Sequence, residues 1–448
     1  MPCLQSAIHM AQEMGKGLGR GEILFKTLPD SGMTDRFLNL SEPEERIEFT
    51  PTRIAGLKRL GQFIARAGRH YSSTRNYDFG PAHRSNVSAL SPWLRHRLIT
   101  EEEVLSRVLA AHSVNGADKF IQEVFWRTYF KGWLEQHPSV WNSYQKNLQN
   151  LLNRLESDTD LSATYKDAVS GQTGFDCFDR WAGELINTGY LHNHARMWMA
   201  SIWIFTLRLP WELGADLFLR YLLDGDPASN TLSWRWVAGL HTKGKTYLAR
   251  PDNIAKYTNG RFHTKGLAKV AEPLIETCNH PRVLMPTPHT PPTGPYLLLL
   301  TEDDMRSQDV LPTSPAGAIG LLATKGYSPK PMGSIPAAFK QNAMGAALDP
   351  FRGVIDTVDD WGPTLIEAAE RDAVKTIAVA NPPIGPARSL LDMAEPMLSD
   401  AGINLCRVMR SHDQIAWPHA KAGFFGLKKK IPIILRDLNL TASLGADR

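Results

Sequence analysis

The residues best suited to chemistry stand between Tyr190 and Trp236, in a stretch more polar than an ordinary helical core requires. In chain order they are His192-Asn193-His194-Ala195-Arg196-Met197, Asp224-Gly225-Asp226, Asn230 and Trp234-Arg235-Trp236. Arg196 adjoins an apolar run that ends at Leu207, so a buried guanidinium there needs a carboxylate partner, and Asp224 and Asp226 are the candidates. An arginine, two acids, an amide and indoles in one pocket favour a planar, polar cofactor over a lipid or a metal.

Further blocks stand upstream, and their order resembles that of the photolyase/cryptochrome flavoprotein family. They are Gly56-Leu57, Phe63, Tyr71, Arg75, Val87 to Pro92, Phe120 to Arg127, Thr173-Gly174-Phe175 and Thr188 to Asn193. The similarity runs from about Phe49 to Phe262. It implies an all-helical domain that binds FAD as a blue-light chromophore.

The resemblance also implies which residues bind FAD. They are Tyr71, Val87, Ser88, Ala89, Leu90, Ser91, Phe120, Arg127, Asn193, Arg196, Asp224, Gly225, Asp226 and Asn230. A serine-rich turn before Pro92, a favourable first residue of a helix, suits a pyrophosphate. By the resemblance, Arg196 and Asp224 pair beside the reactive edge of the flavin. Asp226 then accepts a hydrogen bond from a ring N–H, and Asn230 lies next to N5.

Two tryptophans, Trp234 and Trp211, match members of the chain that carries electrons to the flavin in this family. The usual outermost tryptophan falls between Asn150 and Tyr165, where this sequence has none. Tyr165, Trp181 and Trp203 are possible substitutes, and core packing is the competing interpretation of each.

The resemblance assigns a substrate site to Arg75, Glu123, Trp126, Met197 and Trp236, together with Asn193. These match the residues of class I enzymes that grip a cyclobutane pyrimidine dimer flipped out of DNA. They imply a deoxyribodipyrimidine photo-lyase, a carbon–carbon lyase that repairs DNA by electron transfer from reduced flavin. One departure weakens the grip on phosphate, because His194 stands where class I enzymes keep an arginine.

Two other functions stay open. The first is a cryptochrome-like blue-light photoreceptor that binds FAD and signals through a protein partner. The second is a DNA-binding flavoprotein that does not depend on light.

The basic segment 51–100 has nine Lys or Arg against the single acid Asp78, which suits DNA phosphates or a solvated helix face equally well.

The fold predicted around these residues is multi-domain, α plus α/β. We predict an arm at residues 1–45, a helical FAD-binding domain at 46–280, a linker at 281–295 with six prolines, and an α/β domain at 296–448. Apolar runs at Tyr296–Thr301, Thr376–Ala380 and Ile403–Val408 predict buried parallel strands, with a helix at Pro386–Leu398. The expected α/β domain is Rossmann-like, without a glycine-rich dinucleotide motif.

This order departs from the family, whose α/β antenna-type domain usually precedes the helical one. A circular permutation of the usual order is one explanation, and an unrelated α/β domain is the other. A second, antenna chromophore of unknown identity is a further possibility.

Composition bounds the remaining properties. A hydrophobic content of 43% and a charged content of 21% are ordinary for a globular protein, and no apolar run is long enough to span a bilayer. We therefore expect a cytoplasmic monomer with no membrane contact. The four cysteines are scattered, which predicts neither a disulfide framework nor a metal site.

Overall fold

The computed structural model describes residues 46–441 of the 448-residue chain. The predicted arm, residues 1–45, lies outside the described residues. The first part of the described chain is helical. Its helices are α1 (Arg53–Ile64), α2 (Arg69–Thr74), α3 (Ser91–Arg95), α4 (Glu101–Ala111), α5 (Asp118–Glu135), α6 (Ser139–Ser157), α7 (Thr159–Ser170), α8 (Asp176–Thr188), α9 (Asn193–Ser201), α10 (Trp211–Tyr221), α11 (Pro227–Val237) and α12 (Pro251–Tyr257).

Local sequence explains where these helices begin and end. Thr100 caps α4, because its hydroxyl accepts from the Glu103 N–H while the Glu103 carboxylate accepts from the Thr100 N–H. The apolar stretch after Gly183 is broken rather than continuous. It stops at Gly189, which has a φ of 67°, and resumes at α9, which runs into a π-helical segment, Ile202–Thr206.

The second part of the described chain is an α/β layer structure. Its elements are β1 (Leu297–Thr301), β2 (Gly317–Leu321), α13 (Ser334–Leu348), β3 (Val354–Asp356), α14 (Trp361–Arg371), β4 (Thr376–Ala380), α15 (Pro386–Asp400), β5 (Asn404–Val408), α16 (Ser411–Ala416), α17 (Phe424–Lys428) and α18 (Ile431–Asp437). Residues 281–295 contain no helix or strand, and Val283 and His289 bond there to the backbone of Gln136 and Arg407.

Within the described residues the sheet has five parallel strands in the order β3-β2-β1-β4-β5. This is the order of a Rossmann-type sheet without its last strand. The prediction of a parallel α/β fold is confirmed, as are the three predicted strands and the helix that begins at Pro386. The sequence analysis did not identify β2 and β3.

The side chains of β1 alternate between two cores. Leu298 and Leu300 pack in the same core as the helical part, whereas Leu297 and Leu299 pack with α14 and α15. This follows from the two-residue period of a strand. The central strand thus joins the α/β layer to the helices.

Acids at the carboxyl end of β1 also contact the helical part. Asp303 accepts from the Arg95 guanidinium at 2.6 Å, and Arg97 reaches Asp304 at 3.3 Å. Arg97 also bonds both carboxylate oxygens of Asp413 at 2.7 Å. All of these side chains are buried, so the contact between the two parts is a charged interior and not a wet surface. None of the described helices combines the length and apolar character that crossing a membrane requires.

Candidate cofactor site

A cleft opens between α2, the turn before α3, α5 and the start of α9. It holds about 710 Å³ of space not filled by atoms, part of it open to solvent. The predicted cofactor residues on its walls are Tyr71, Val87, Ser88, Ala89, Leu90, Ser91, Phe120, Arg127 and Asn193. Two predicted substrate residues, Arg75 and Glu123, also line it. The cleft therefore gathers segments that are far apart in sequence.

A buried arginine bonds the backbone of the serine-rich turn. Arg59 of α1 donates to the carbonyl oxygens of Ser88 at 2.9 Å and Val87 at 2.8 Å. Ala89 has a φ of 51°, so the chain reverses there before Ser91 begins α3. Ser91 interacts with the carboxylate of Asp224. The turn is thus fixed by its carbonyls and lies between α1 and the Asp-Gly-Asp block.

Asp226 is the N-cap of α11 and faces three cations. Its Oδ1 accepts from the Ser229 N–H at 2.7 Å. Its Oδ2 lies 3.7 Å from Arg95 Nε, 3.8 Å from Arg127 Nη1 and 3.8 Å from Lys131 Nζ, all too long for hydrogen bonds. Burial works to raise the pKa of Asp226, but Lys131, Arg95 and Arg127 outweigh it and hold the pKa far below its usual range.

Arg196 finds its carboxylate in Asp224, at 3.0 Å. Its Nε donates to the Leu191 carbonyl at 3.0 Å, and its guanidinium lies 5.3 Å from the Tyr190 ring centre. Burial works to raise the pKa of Asp224, but Arg196 dominates and the pKa falls to about 2. The prediction that one of the two acids pairs with Arg196 is confirmed, and its place beside a flavin stays a prediction.

Asn230 and Gly225 also make contacts with the backbone of neighbouring residues. Asn230 Nδ2 donates to the Ala215 carbonyl at 2.7 Å, which ties α11 to α10. A Cβ at Gly225 would lie 2.8 Å from the Leu219 carbonyl oxygen, so a side chain does not fit there. The Gly225 carbonyl in turn accepts from Arg95 Nε at 2.8 Å. Gly225 therefore lets the chain turn tightly between Asp224 and Asp226.

Several buried polar atoms in this region have no hydrogen-bond partner among the described residues. They are Asn193 Oδ1, Asp224 Oδ1, Asp226 Oδ2, Asn230 Oδ1, Arg127 Nη1 and Lys131 Nζ. Such atoms are costly to bury unless something bonds them. They include both donors and acceptors, which matches the ring N–H, ring nitrogens and carbonyls of a flavin and the negative charge of its pyrophosphate. The residues present therefore fit FAD.

The predicted substrate residues are not gathered on one open wall. Trp126 is 2% exposed and stacks on Phe424 of α17, with ring centres 3.6 Å apart and planes 17° apart. Trp236 is buried beside Tyr247, and Met197 is fully buried.

At the mouth of the cleft, Arg75 Nη1 bonds Glu123 Oε1 at 2.6 Å, and both side chains are buried. His194 is also buried. Its ring stacks on Trp198, and burial lowers the pKa of His194 to about 4, so this ring is neutral near pH 7.

Some residues of the site were missed by the sequence analysis. Glu101 and Tyr190 line the cleft, and Lys131 and Arg95 face Asp226. Lys131 was detectable, because it follows Arg127 by four residues and so lies on the same face of α5. Arg95 was not, because nothing in its own segment indicates the acid that it meets. Among the described residues no group of His, Cys, Asp and Glu side chains has the arrangement of a metal site.

Comparison with known proteins agrees with this geometry. Residues 120–263 match the family described as the FAD binding domain of DNA photolyase. A deoxyribodipyrimidine photo-lyase from Streptomyces griseus is 32% identical over 195 residues, which covers 41% of this chain and 41% of that protein. A cryptochrome DASH from Oryza sativa subsp. japonica is 27% identical over 217 residues, which covers 45% of this chain and 35% of that protein.

A crystal structure of a class III photolyase from Agrobacterium tumefaciens aligns over 52% of this chain and 49% of the photolyase chain, at 26% identity and a TM-score of 0.38. The chain spans about two fifths of the length of the curated relatives it matches. The family match, residues 120–263, includes α5, α9 and the Asp-Gly-Asp block. Through residues 120–263, the chain carries the FAD-binding domain of the DNA photolyase family.

Proposed function

We propose that this chain binds one FAD without a covalent bond and uses blue light to split cyclobutane pyrimidine dimers in DNA. The observation that carries the proposal is the set of buried, unpartnered donors and acceptors around Asp226, on the walls of or next to a cleft lined by Tyr71 and the serine-rich turn. When bound, FAD supplies the light absorption and the transferable electron. The side chains hold it, orient it and adjust the local charge.

Each group has a distinct part in that task. Asp226 is an ionised acceptor aimed by its cap bond to Ser229, so it can receive a ring N–H without reorganisation. Arg127 and Lys131 bring positive charge next to Asp226, which favours an anionic, reduced cofactor. Asn230 Oδ1 is held in place by the bond that its own amide makes to Ala215.

The proposed binding of damaged DNA depends on Glu123, Trp126 and Trp236. A flipped base can stack on an indole, which is worth about 1–3 kcal/mol per base. Trp126 is covered in this structure, so it serves as a wall only if Phe424 moves aside. Glu123 bonds Arg75, and a flipped dimer competes for the same carboxylate.

The covered indole favours a second candidate function. A photoreceptor that signals through a protein partner needs the flavin site but no open pocket for a base, and a relative of this chain bears the name cryptochrome DASH. The two functions make different predictions for damaged DNA.

One experiment separates them. The purified chain, reconstituted with FAD and chemically reduced, is mixed with an oligonucleotide that contains a cyclobutane dimer and exposed to blue light. Repair restores thymines, which are counted by chromatography of the digested DNA. Equal binding of damaged and intact DNA, with no thymine restored, would favour the photoreceptor. Release of FMN, or of no flavin, on denaturation would contradict both.

A further inference from the structure

We infer that electrons reach the flavin site along Tyr165, Trp203 and Trp234, in that order, with the tyrosine as the terminal donor. This inference rests on the proposed FAD site, because that site is the electron acceptor. It changes the route that the resemblance implied, in which Trp211 follows Trp234. It also assigns an outer member where the usual outermost tryptophan is missing.

The inner end of this route is fixed by helical spacing. Asp226 caps α11, and Asn230 and Trp234 follow at intervals of four residues, so the three side chains lie along one face of the helix. Trp234 is fully buried, and its Nε1 has no hydrogen-bond partner among the described residues. The indole therefore continues the row of groups that begins at the candidate flavin site.

The next ring is that of Trp203. It meets Trp234 edge to face, with ring centres 6.1 Å apart and planes at 83°. The contact requires Gly214, because a Cβ there would overlap the Trp234 ring and lie 3.0 Å from Trp203 Cε2. Trp203 is fully buried, and its Nε1 donates to the Pro210 carbonyl at 2.9 Å. The packing thus holds two oxidisable rings in contact, with no side chain between them.

The outer end is Tyr165 of α7. Its ring meets Trp203 at 6.1 Å and 87°, and it is 7% exposed while Trp203 and Trp234 are fully buried. Phe178 and Phe218 flank the two indoles, and phenylalanine is too hard to oxidise to divert an electron. The route therefore leads from the interior to the first redox-active ring with any exposure.

The other tryptophans are placed differently. Trp211 pairs with Tyr144, at 5.7 Å, and no described ring contact joins it to Trp234. A cation lies near each outer ring, Arg235 at 5.9 Å from the Trp211 ring centre and Lys330 at 5.8 Å from the Tyr165 ring centre, so charge does not separate the two routes. Trp181 stacks on Trp198, and no described ring contact joins it to Trp203.

The electron balance is simple. One electron leaves Trp234 for the excited flavin, one moves from Trp203 to Trp234, and one moves from Tyr165 to Trp203. The oxidised tyrosine releases its phenolic proton to water and becomes a neutral radical. An external thiol then gives the radical a hydrogen atom, and two thiyl radicals combine to a disulfide.

The test uses the full chain with oxidised FAD, a flash of blue light and electron paramagnetic resonance, followed by steady illumination with dithiothreitol. Tyr165→Phe, which removes only the phenolic oxygen, is expected to lose the tyrosyl radical signal and most of the flavin photoreduction. Trp203→Phe is expected to lose both as well. Trp181→Phe is the matched control and is expected to keep both.

Trp211→Phe decides between the two routes. If it abolishes photoreduction while Trp203→Phe does not, or if Tyr165→Phe keeps the tyrosyl signal, the inference is wrong. Its failure is distinguishable from failure of the proposed function, because repair by dithionite-reduced protein does not need the relay. Tyr165→Phe reduced in this way is expected to restore thymines like the unmodified chain. If the unmodified chain binds no FAD, both proposals fall.

Discussion

Asp226 is the residue on which the candidate site converges. Three cations approach one of its oxygens without bonding it, while the other oxygen caps α11. Arg95 is paired with Asp303, whereas Arg127 Nη1 and Lys131 Nζ have no hydrogen-bond partner among the described residues. Such an arrangement is costly for the empty protein and favourable for an anionic cofactor.

Lys131 tests this reasoning. Its Nζ is buried without a hydrogen-bond partner among the described residues, and burial lowers its pKa. Lys131→Met keeps the apolar stem and removes the charge, so it is expected to raise the free energy of unfolding of the FAD-free chain by roughly 1–3 kcal/mol. It is expected to weaken FAD binding at the same time. Urea unfolding and flavin release measure the two effects, and a variant that loses stability would contradict the first.

The Arg196–Asp224 pair makes a second prediction at this scale. Asp224→Ala leaves a buried guanidinium without its carboxylate, so the free energy of unfolding is expected to fall by about 3–5 kcal/mol, with loss of FAD. Asp224→Asn, which keeps an oxygen that can accept from Arg196, is the control and is expected to lose less. Retained flavin with unchanged stability in Asp224→Ala would mean that the pair plays no part in the site.

The two acids also mark how far single residues could be read from the sequence. Arg196 in an apolar stretch needed a carboxylate, and the physical reason held whatever the fold. The cover over Trp126 could not be foreseen in the same way. Phe424 belongs to α17, at the far end of the chain, and no periodicity in either segment indicates that the two rings meet.

At the scale of elements, β1, β4 and β5 were predictable and β2 and β3 were not. A continuous run of leucines is apolar on both faces of a strand and is therefore expected to be buried, which identified β1. In β2, Gly317 and Gly320 hide the pattern, because glycine has a low preference for strands. Gly320 has a packing reason: a Cβ there would lie 2.6 Å from Met344 Sδ of α13. The glycine lets the helix approach the sheet, a requirement that only the assembled layer reveals.

The contact of α17 with α5 makes the third prediction. Phe424→Ala removes the ring that covers Trp126, so it is expected to improve discrimination of dimer-containing from intact DNA, by at most the roughly 1–3 kcal/mol of base stacking. Competition binding with the two oligonucleotides measures it. Phe425→Ala is the matched control, since Phe425 is 42% exposed and has no contact with the Trp126 ring. Unchanged discrimination in both variants would remove Trp126 from the proposed pocket.

At the scale of the whole molecule, the two parts share a buried, charged interior. Glu135, near the end of α5, is one link, because its carboxylate accepts from the Ile384 N–H at 2.6 Å. Burial raises the pKa of Glu135 from 4.5 to about 7. The folded chain thus holds this proton more tightly than the unfolded chain, so its contribution to stability falls as the pH rises from 4.5 to 7 and is level above that range.

Glu135→Gln should remove this pH dependence. The amide oxygen still accepts from Ile384, and the side chain has no charge to bury. The free energy of unfolding is expected to rise by up to about 3 kcal/mol at pH 7 and to change little at pH 4.5. Denaturant titrations at the two pH values measure the difference. A gain at the lower pH alone would contradict the assignment.

The shared interior also predicts how the molecule comes apart. A protease site placed within residues 281–295 should leave two fragments that still elute together, because the ion pairs of Asp303 and Asp413 and the common core hold them. Thermal unfolding of the uncut chain is expected to show one transition. Fragments that separate on a sizing column would contradict a single body and, with it, the interpretation of residues 296–448 as a displaced antenna-type domain.

The order of the two parts along the chain has a consequence for biosynthesis. Asp303 follows its partner Arg95 by 208 residues, and Asp413 follows Arg97 by 316. At roughly 5–20 residues per second, about 10–40 s pass on the ribosome between Arg95 and Asp303. For that interval the nascent helices carry guanidinium groups whose carboxylate partners in the α/β part do not yet exist. Maturation of the flavin-binding part therefore waits for the carboxyl-terminal third of the chain. In a chain whose α/β domain precedes the helical domain, the sheet would be synthesised first.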